Sequence, residues 1–438
     1  MSDARAASAP SPARQVIDAA GPSYFPLALV ARFPYAMMVV GVLSLVVAAR
    51  GSLALGGATS AAVGLGTALF GPLIGAAADR HGQRRVLLLT GVLSAAMLAA
   101  MTWVVASPLP GSAVLAVAFG IGATTPQVPP MSRSRLVGLI TRRLPSSSRM
   151  RAMNGAMAYE SAVDEVTFVF GPMIVGILAA TLGAAAPVVG AAVLTLVAVG
   201  AFALHPSARA ADAPASIEPE VGSVRDLFRP AMVIALAGVL GVGCLFGSVL
   251  TSLTALMDES GRAEQAGLVY GVMGVGSAAL ALLTGSFSPR FALRWRWLAF
   301  AGVAVGGAVA LPLAGSLPAV VGALLVLGVG IGPVLVTLYS VLAQEAPRGR
   351  TATTMAMAST GIVVGQSAAS ALTGQLAQSH GTGAASLTPL AAILITAGAG
   401  LAYALTSPRP GGVKVTSAAL TPHPATEGGA RRESTLHS

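Results

Sequence analysis

GAAADRHGQRR, Gly75 to Arg85, is a short basic turn punctuated by glycines and carrying one acid, Asp79. It closes one uncharged apolar block, 58–78, and leads into another, 86–106. About 20 apolar residues in a helix cross the hydrocarbon layer of a bilayer. The stretch therefore reads as a tight loop at a membrane surface, joining two transmembrane helices that run in opposite directions.

Ten further apolar blocks lie on either side, and the predicted spans are 25–49, 58–78, 86–106, 112–132, 152–180, 184–204, 231–256, 265–288, 297–315, 318–343, 352–377 and 387–406. The composition agrees: 55% of the 438 residues are hydrophobic and 10% charged, against about 25% charged in soluble domains. So little polar cover cannot clothe a water-soluble surface. The 52 glycines suit helices that pack closely in lipid. The expected fold is an all-α membrane protein of twelve transmembrane helices. Residues 1–24 read as a disordered cytoplasmic N-terminus, 25–204 as an N-terminal six-helix half, 205–230 as a cytoplasmic linker, 231–406 as a C-terminal six-helix half and 407–438 as a disordered cytoplasmic tail. Residues 1–22 show no secretory signal, so the first block is expected to stay attached as an anchor.

Charge sets the orientation. With both termini cytoplasmic, only Arg50 and Arg262 of the 26 basic residues fall outside, and Arg32 lies within the first span. The rest lie inside, as cytoplasmic loops in a plasma membrane require. The net charge of +10 is thus spread over loops facing anionic lipid, not gathered on one nucleic-acid-binding face.

The opening stretch has an echo. GSFSPRFALRW, Gly285 to Trp295, closes the eighth predicted span as Gly75 to Arg85 closes the second. Gly75, Arg80 and Arg84 match Gly285, Arg290 and Arg294. Two pseudo-symmetric six-helix halves follow, with a substrate path between them.

Gly75, Asp79, Arg80, Gly82, Arg84 and Arg85 resemble the loop signature G-x-x-x-D-R-x-G-x-R-R of the major facilitator superfamily. The resemblance implies a transporter in which this loop latches the cytoplasmic ends of the halves together. The residue types suit a latch. Gly75 permits close helix approach, Gly82 a tight turn, and Asp79 can hold an arginine or a helix N-terminus. Inside-positive charge alone would need neither Asp79 nor the glycines.

The fifth span carries Glu160, Asp164 and Glu165 in otherwise apolar sequence. Acids at such depth are costly and are usually paired, protonated or turned to water. Met153, Met157, Glu160, Asp164, Thr167 and Gly171 share one helical stripe, while Glu165 points about 100° away from Asp164. The repeat places Ser359, Val363 and Val364 at the matching positions of the eleventh span, so the acids serve the first half only. Arg32, at a similar depth of roughly 13 Å, is the expected counter-ion. Three acids and one arginine leave a net negative charge, which predicts a carboxyl that holds a proton. The alternative is a static ion-pair network that orients helices.

Pro34 should bend the first helix beside Arg32. Gly171-Pro172 resembles part of the antiporter signature of the same superfamily and predicts a second bend. Gln127 and Gln366, with Met157 and Thr167, are candidate substrate-cavity residues; the prolines flanking Gln127 also allow it to satisfy a freed carbonyl. One departure stands out. Drug–proton antiporters of the superfamily, the twelve-helix group this chain resembles, commonly carry an arginine in the fourth span, where Ala118 stands here.

Other chemistry is disfavoured. One cysteine, Cys244, and five scattered histidines offer no disulfide framework and no metal-ligand spacing. No Walker loop is present, so neither a nucleotide nor any other cofactor is expected. Paired carboxylates without a nucleophile do not make an enzyme. The expected function is secondary active transport: proton-coupled efflux of a small amphipathic molecule, such as a drug or secreted metabolite, with protons and lipid as the other partners. The alternatives are a proton-coupled importer of a sugar, organic acid or peptide, which the 5% aromatic content disfavours, and a non-transporting receptor or assembly protein, which the short loops disfavour.

Overall fold

A computed structural model describes residues 11–212, 222–259, 266–288 and 290–406. Among the described residues the regular structure is wholly helical, and nine helices are long and apolar enough to cross a membrane. They are Tyr24–Arg50, Leu55–His81, Gln83–Ala106, Gly111–Arg143, Ala186–Leu204, Pro230–Met257, Leu317–Glu345, Thr351–Ala385 and Thr388–Thr406. Three further predicted spans are also helical. One is the charged Ser146–Leu182, one is Ala266–Thr284, and one is Leu293–Ala310, which carries Arg294 and Arg296 in its first turns.

The helices are α1 (Pro12–Ala20), α2 (Tyr24–Val30), α3 (Phe33–Arg50), α4 (Leu53–His81), α5 (Gln83–Ala106), α6 (Gly111–Thr124), α7 (Val128–Arg143), α8 (Ser146–Leu182), α9 (Ala186–Leu194), α10 (Gly200–Leu204) and α11 (Pro206–Asp212). They continue as α12 (Pro230–Asp258), α13 (Ala266–Thr284), α14 (Leu293–Ala310), α15 (Leu317–Glu345), α16 (Thr351–Ala385) and α17 (Thr388–Thr406). A π-helical turn, Thr195–Val199, joins α9 to α10.

Local chemistry sets the breaks. Gly51 ends α3 in the left-handed region (φ 62°), and Ser52 caps α4 by accepting the Leu55 amide at 3.1 Å. Gly82, at φ 85°, separates α4 from α5. Two predicted spans are each two helices. Arg32 separates α2 from α3, with Pro34 in the first turn of the second piece. Thr125–Gln127 separates α6 from α7, where prolines again open the new helix.

Two segments outside the predicted spans carry helix. Residues 12–20, within the stretch 1–24 read as disordered, form α1, which packs on α7 and α8. The linker region 205–230 contains α11 and a 3₁₀ turn, Val224–Phe228. Residues 1–10, 213–221 and 407–438 lie outside the described residues.

Close packing relies on missing side chains. A Cβ built on Gly122 of α6 would run into the Val63 carbonyl oxygen, and one on Gly66 of α4 would run into that of Phe119. Backbone meets backbone at this crossing, so no flexible side chain can yield. Gly122→Val should therefore cost about 3 kcal/mol or more. The check is the thermal midpoint of purified protein; an unchanged midpoint would refute the contact. Beyond α3–α6 and α8–α9, and beyond α12–α17, helices before 213–221 meet those after it through α4 with α16, α7 with α16, and α8 with α13 and α15.

Candidate functional site

The site forms where two helices are broken and one carries acid. Arg32 stands between α2 and α3. Its own amide reaches Leu29, and its Nη1 donates to the Ala28 carbonyl at 2.9 Å. The side chain is 1% exposed and turns to α8. There Nη2 pairs with Glu160 Oε2, and Nε donates to Asp164 Oδ1 at 3.0 Å. The two acids stand one turn apart on the same face.

A second arginine completes the cluster. Arg133 of α7 pairs through Nη2 with the other oxygen of Asp164, Oδ2. Its guanidinium lies 3.7 Å from the centre of the Tyr339 ring on α15. Ser132, beside it, donates to Glu160 Oε1 at 2.7 Å. The Tyr24 hydroxyl lies 2.6 Å from the Ser132 hydroxyl and donates to the Ser132 carbonyl at 3.1 Å. Glu160 is fully buried, whereas the Asp164 side chain keeps 22% exposure.

The charge pattern alone places Arg133 and Arg135 in an inner loop. Both are instead buried. Arg135 donates to the Phe202 carbonyl at 3.0 Å and to Ser207 at 3.1 Å. Two arginines and two described acids sum to zero, so charge balance among them no longer calls for a standing proton. Arg133 lies in the second piece of the fourth span, fifteen residues past Ala118. The available signal was Pro129-Pro130, which opens a helix as readily as it ends one.

A second constellation joins α4 to α16. Asp79 Oδ1 accepts the Ala352 amide at 3.0 Å, and Oδ2 accepts the Thr353 amide at 2.7 Å and its hydroxyl at 2.6 Å. A carboxylate thus caps the first turn of another helix. Gly75 makes the approach possible, since a Cβ there would lie 2.6 Å from Ala356 Cβ and 2.9 Å from the Ala352 carbonyl oxygen. Arg80 and Arg85 are exposed and Arg84 is half-buried, so the described hydrogen bonds of this junction come from Asp79. Nearby, Ser340 of α15 donates to Asn154 of α8 at 3.4 Å.

The remaining candidates are dispersed. Gln127 is buried and donates to the Thr125 carbonyl at 3.2 Å, the freed group at the helix break. Thr167 donates to the Val163 carbonyl of its own helix at 2.8 Å, and Met157 lies in the core. Gln366 is half-buried where α16 crosses Gly247 of α12. A Cβ on Gly171 would lie 2.5 Å from that of Ala36, marking the contact of α8 with α3, and α8 is assigned as one helix through Pro172. The side chains of Glu165 and Pro172 lie outside the described residues. Pro34 and Arg32 line a small cavity with Tyr35, Ser94 and Thr125.

The sequence profile of the Major Facilitator Superfamily matches residues 24–370. The chain belongs to the Major Facilitator Superfamily. It is a multi-pass membrane protein of a transporter family, with a small-molecule substrate and membrane lipid as the partners the family implies. No curated protein sequence matches it. Solved structures of the superfamily fold do. The human organic anion transporter MFSD10 (TETRAN) has a TM-score of 0.65 at 18% identity over 89% of this chain and 100% of that one. A bacterial homologue of the iron transporter ferroportin, in an outward-facing state, has a TM-score of 0.70 at 15% identity over 88% and 99%. The E. coli fucose:proton symporter FucP has a TM-score of 0.62 at 17% identity over 88% and 100%. At these identities the likeness is one of fold.

Proposed function

We propose that this superfamily member is a proton-coupled exporter of a small amphipathic organic molecule. Twelve spans form two six-helix halves, with both termini in the cytoplasm of a plasma-membrane protein, and the halves rock about a central path. The polar contacts between the halves, from Asp79, Arg133 and Asn154, lie towards the arginine-rich ends of the helices. That supports an outward-facing form with its cytoplasmic gate shut.

Asp164 carries the reading. It holds Arg32 of its own half and Arg133, which is stacked on Tyr339 of the other half. It is also the acid of the pair that keeps an exposed surface, 22% against 0% for Glu160. A proton on Asp164 leaves Glu160 to balance Arg32 but strips Arg133 of its ionic partner. Arg133 then has reason to leave Tyr339, and the gate is freed to open. The Gly171-Pro172 resemblance to the antiporter signature supports export.

Proton binding tests this without a known substrate. Wild-type protein in liposomes should take up a proton that Asp164→Asn does not, and Asp164→Asn should lose transport driven by an imposed pH gradient. Equal proton uptake by the two proteins would rule Asp164 out as the carrier and leave the cluster structural.

A further inference from the structure

At the start of α14, two arginines hold buried nitrogens that no described residue accepts from. Arg296 is 1% exposed, and its Nε and Nη1 have no hydrogen-bond partner among the described residues. The buried Nε of Arg294, two residues earlier, is likewise unpartnered. A guanidinium removed from water needs acceptors, because its desolvation is otherwise uncompensated. What surrounds Arg296 instead is aromatic: its guanidinium carbon lies 5.4 Å from the centre of Phe287 and 5.9 Å from that of Phe291.

The backbone points the same way. Ala292 opens α14 with no side-chain cap; its carbonyl takes the Trp295 and Arg296 amides at 3.0 Å each, which leaves the Leu293 and Arg294 amides without an intrahelical acceptor. Side chains in the first turns of a helix lean back towards its N-terminus, which brings Arg296 over these amides. A buried guanidinium, the helix dipole and free amides meet at this helix start, as at phosphate-binding helix ends, and Arg294 adds a second charge in the same turn. The repeat explains the missing partner. The position matching Asp79 is Pro289, so the second copy of the turn kept its arginines and has no acid.

We propose that this turn binds a phosphate group, and that the phosphate is the headgroup of an anionic phospholipid of the cytoplasmic leaflet. The site lies at the arginine-rich end of the bundle, where such lipids meet the protein in the orientation proposed above. Phe291, half-buried and 5.9 Å from the Arg296 guanidinium, would move aside to admit the headgroup.

The full chain in neutral detergent tests this independently of transport. Phosphatidylglycerol, phosphatidylcholine and inorganic phosphate are added in separate arms, and the thermal midpoint and the lipid retained in native mass spectrometry are read. Phosphatidylglycerol should raise the wild-type midpoint and phosphatidylcholine should not. Arg294→Gln should weaken phosphatidylglycerol retention about tenfold, the loss of one charge-assisted bond. Arg296→Met should abolish the response with little change in the lipid-free midpoint, because the charge it removes has no ionic partner among the described residues. Should Arg296→Met fail to fold, Arg294→Gln carries the test. Inorganic phosphate matching phosphatidylglycerol would overturn the lipid source and assign the site to a soluble phosphate. Equal phosphatidylglycerol responses in wild type and Arg294→Gln would overturn the site.

Discussion

Arg32→Met collapses the first bundle, and adding Glu160→Met restores it. Arg32 and Glu160 are 1% and 0% exposed, so neither can turn to water when its partner is removed. The single variant leaves a carboxylate buried without its cation, a loss of about 3–5 kcal/mol. That is a large share of a marginal folding free energy. The double variant removes both charges. Ser132 and Tyr24 still bond each other, and Asp164 still holds Arg133. Two methionines fill the space with flexible apolar chains. The double variant should therefore recover most of the loss, with a coupling of about 3 kcal/mol across the cycle. Thermal midpoints of the four proteins in one neutral detergent measure it. Additive losses would mean that the pair stabilises nothing jointly, and the ionic cluster would not be the organising feature of this bundle.

The acids and Arg32 are legible in the sequence because charge is conspicuous in an apolar helix. Glu160 and Asp164 share a stripe at helical spacing, and only one arginine lies inside a predicted span. Arg133 is hidden by its neighbours. Residues 133–151 carry six arginines, and such a run reads as a cytoplasmic loop whatever its structure. The interruption of helix at Thr125–Gln127 shows that a new helix begins there, and it buries Arg133 and Arg135. The misplacement has a consequence, since a charge count without Arg133 demands a standing proton that the second arginine removes. Asp79 is legible as a cap but its partner is not. The amide it accepts belongs to Ala352, 273 residues away, and no local pattern encodes that pairing. Polar side chains offered as cavity lining prove weaker still. Gln127 and Thr167 answer to nearby carbonyls, the usual fate of a polar group in a helix that has no water to turn to.

Gly75→Val should hold the cytoplasmic gate open, and Asp79→Asn should loosen it. The two act on one junction by different physics. Valine at position 75 places carbon where Ala356 Cβ would be 2.6 Å away and the Ala352 carbonyl oxygen 2.9 Å away, so α4 and α16 cannot close to their present distance. Overpacking of this kind costs about 1–3 kcal/mol when a core must absorb it. Here the junction joins two bodies that are expected to separate in every cycle, so the strain is relieved by parting them and not by unfolding either one. Asparagine at 79 keeps the shape but loses the charge facing the first turn of α16, about 1–2 kcal/mol. That shifts the open-to-closed ratio about tenfold. A cysteine reports it. Thr360→Cys in a Cys244→Ser background places the only thiol on α16 opposite Gly71, inside the closed junction. Labelling by a membrane-impermeant maleimide from the cytoplasmic side should speed up about tenfold with Asp79→Asn and more with Gly75→Val, while the thermal midpoint changes little. If the midpoint falls and labelling stays slow, the junction is ordinary core, α4 and α16 do not part, and the gate must be sought elsewhere.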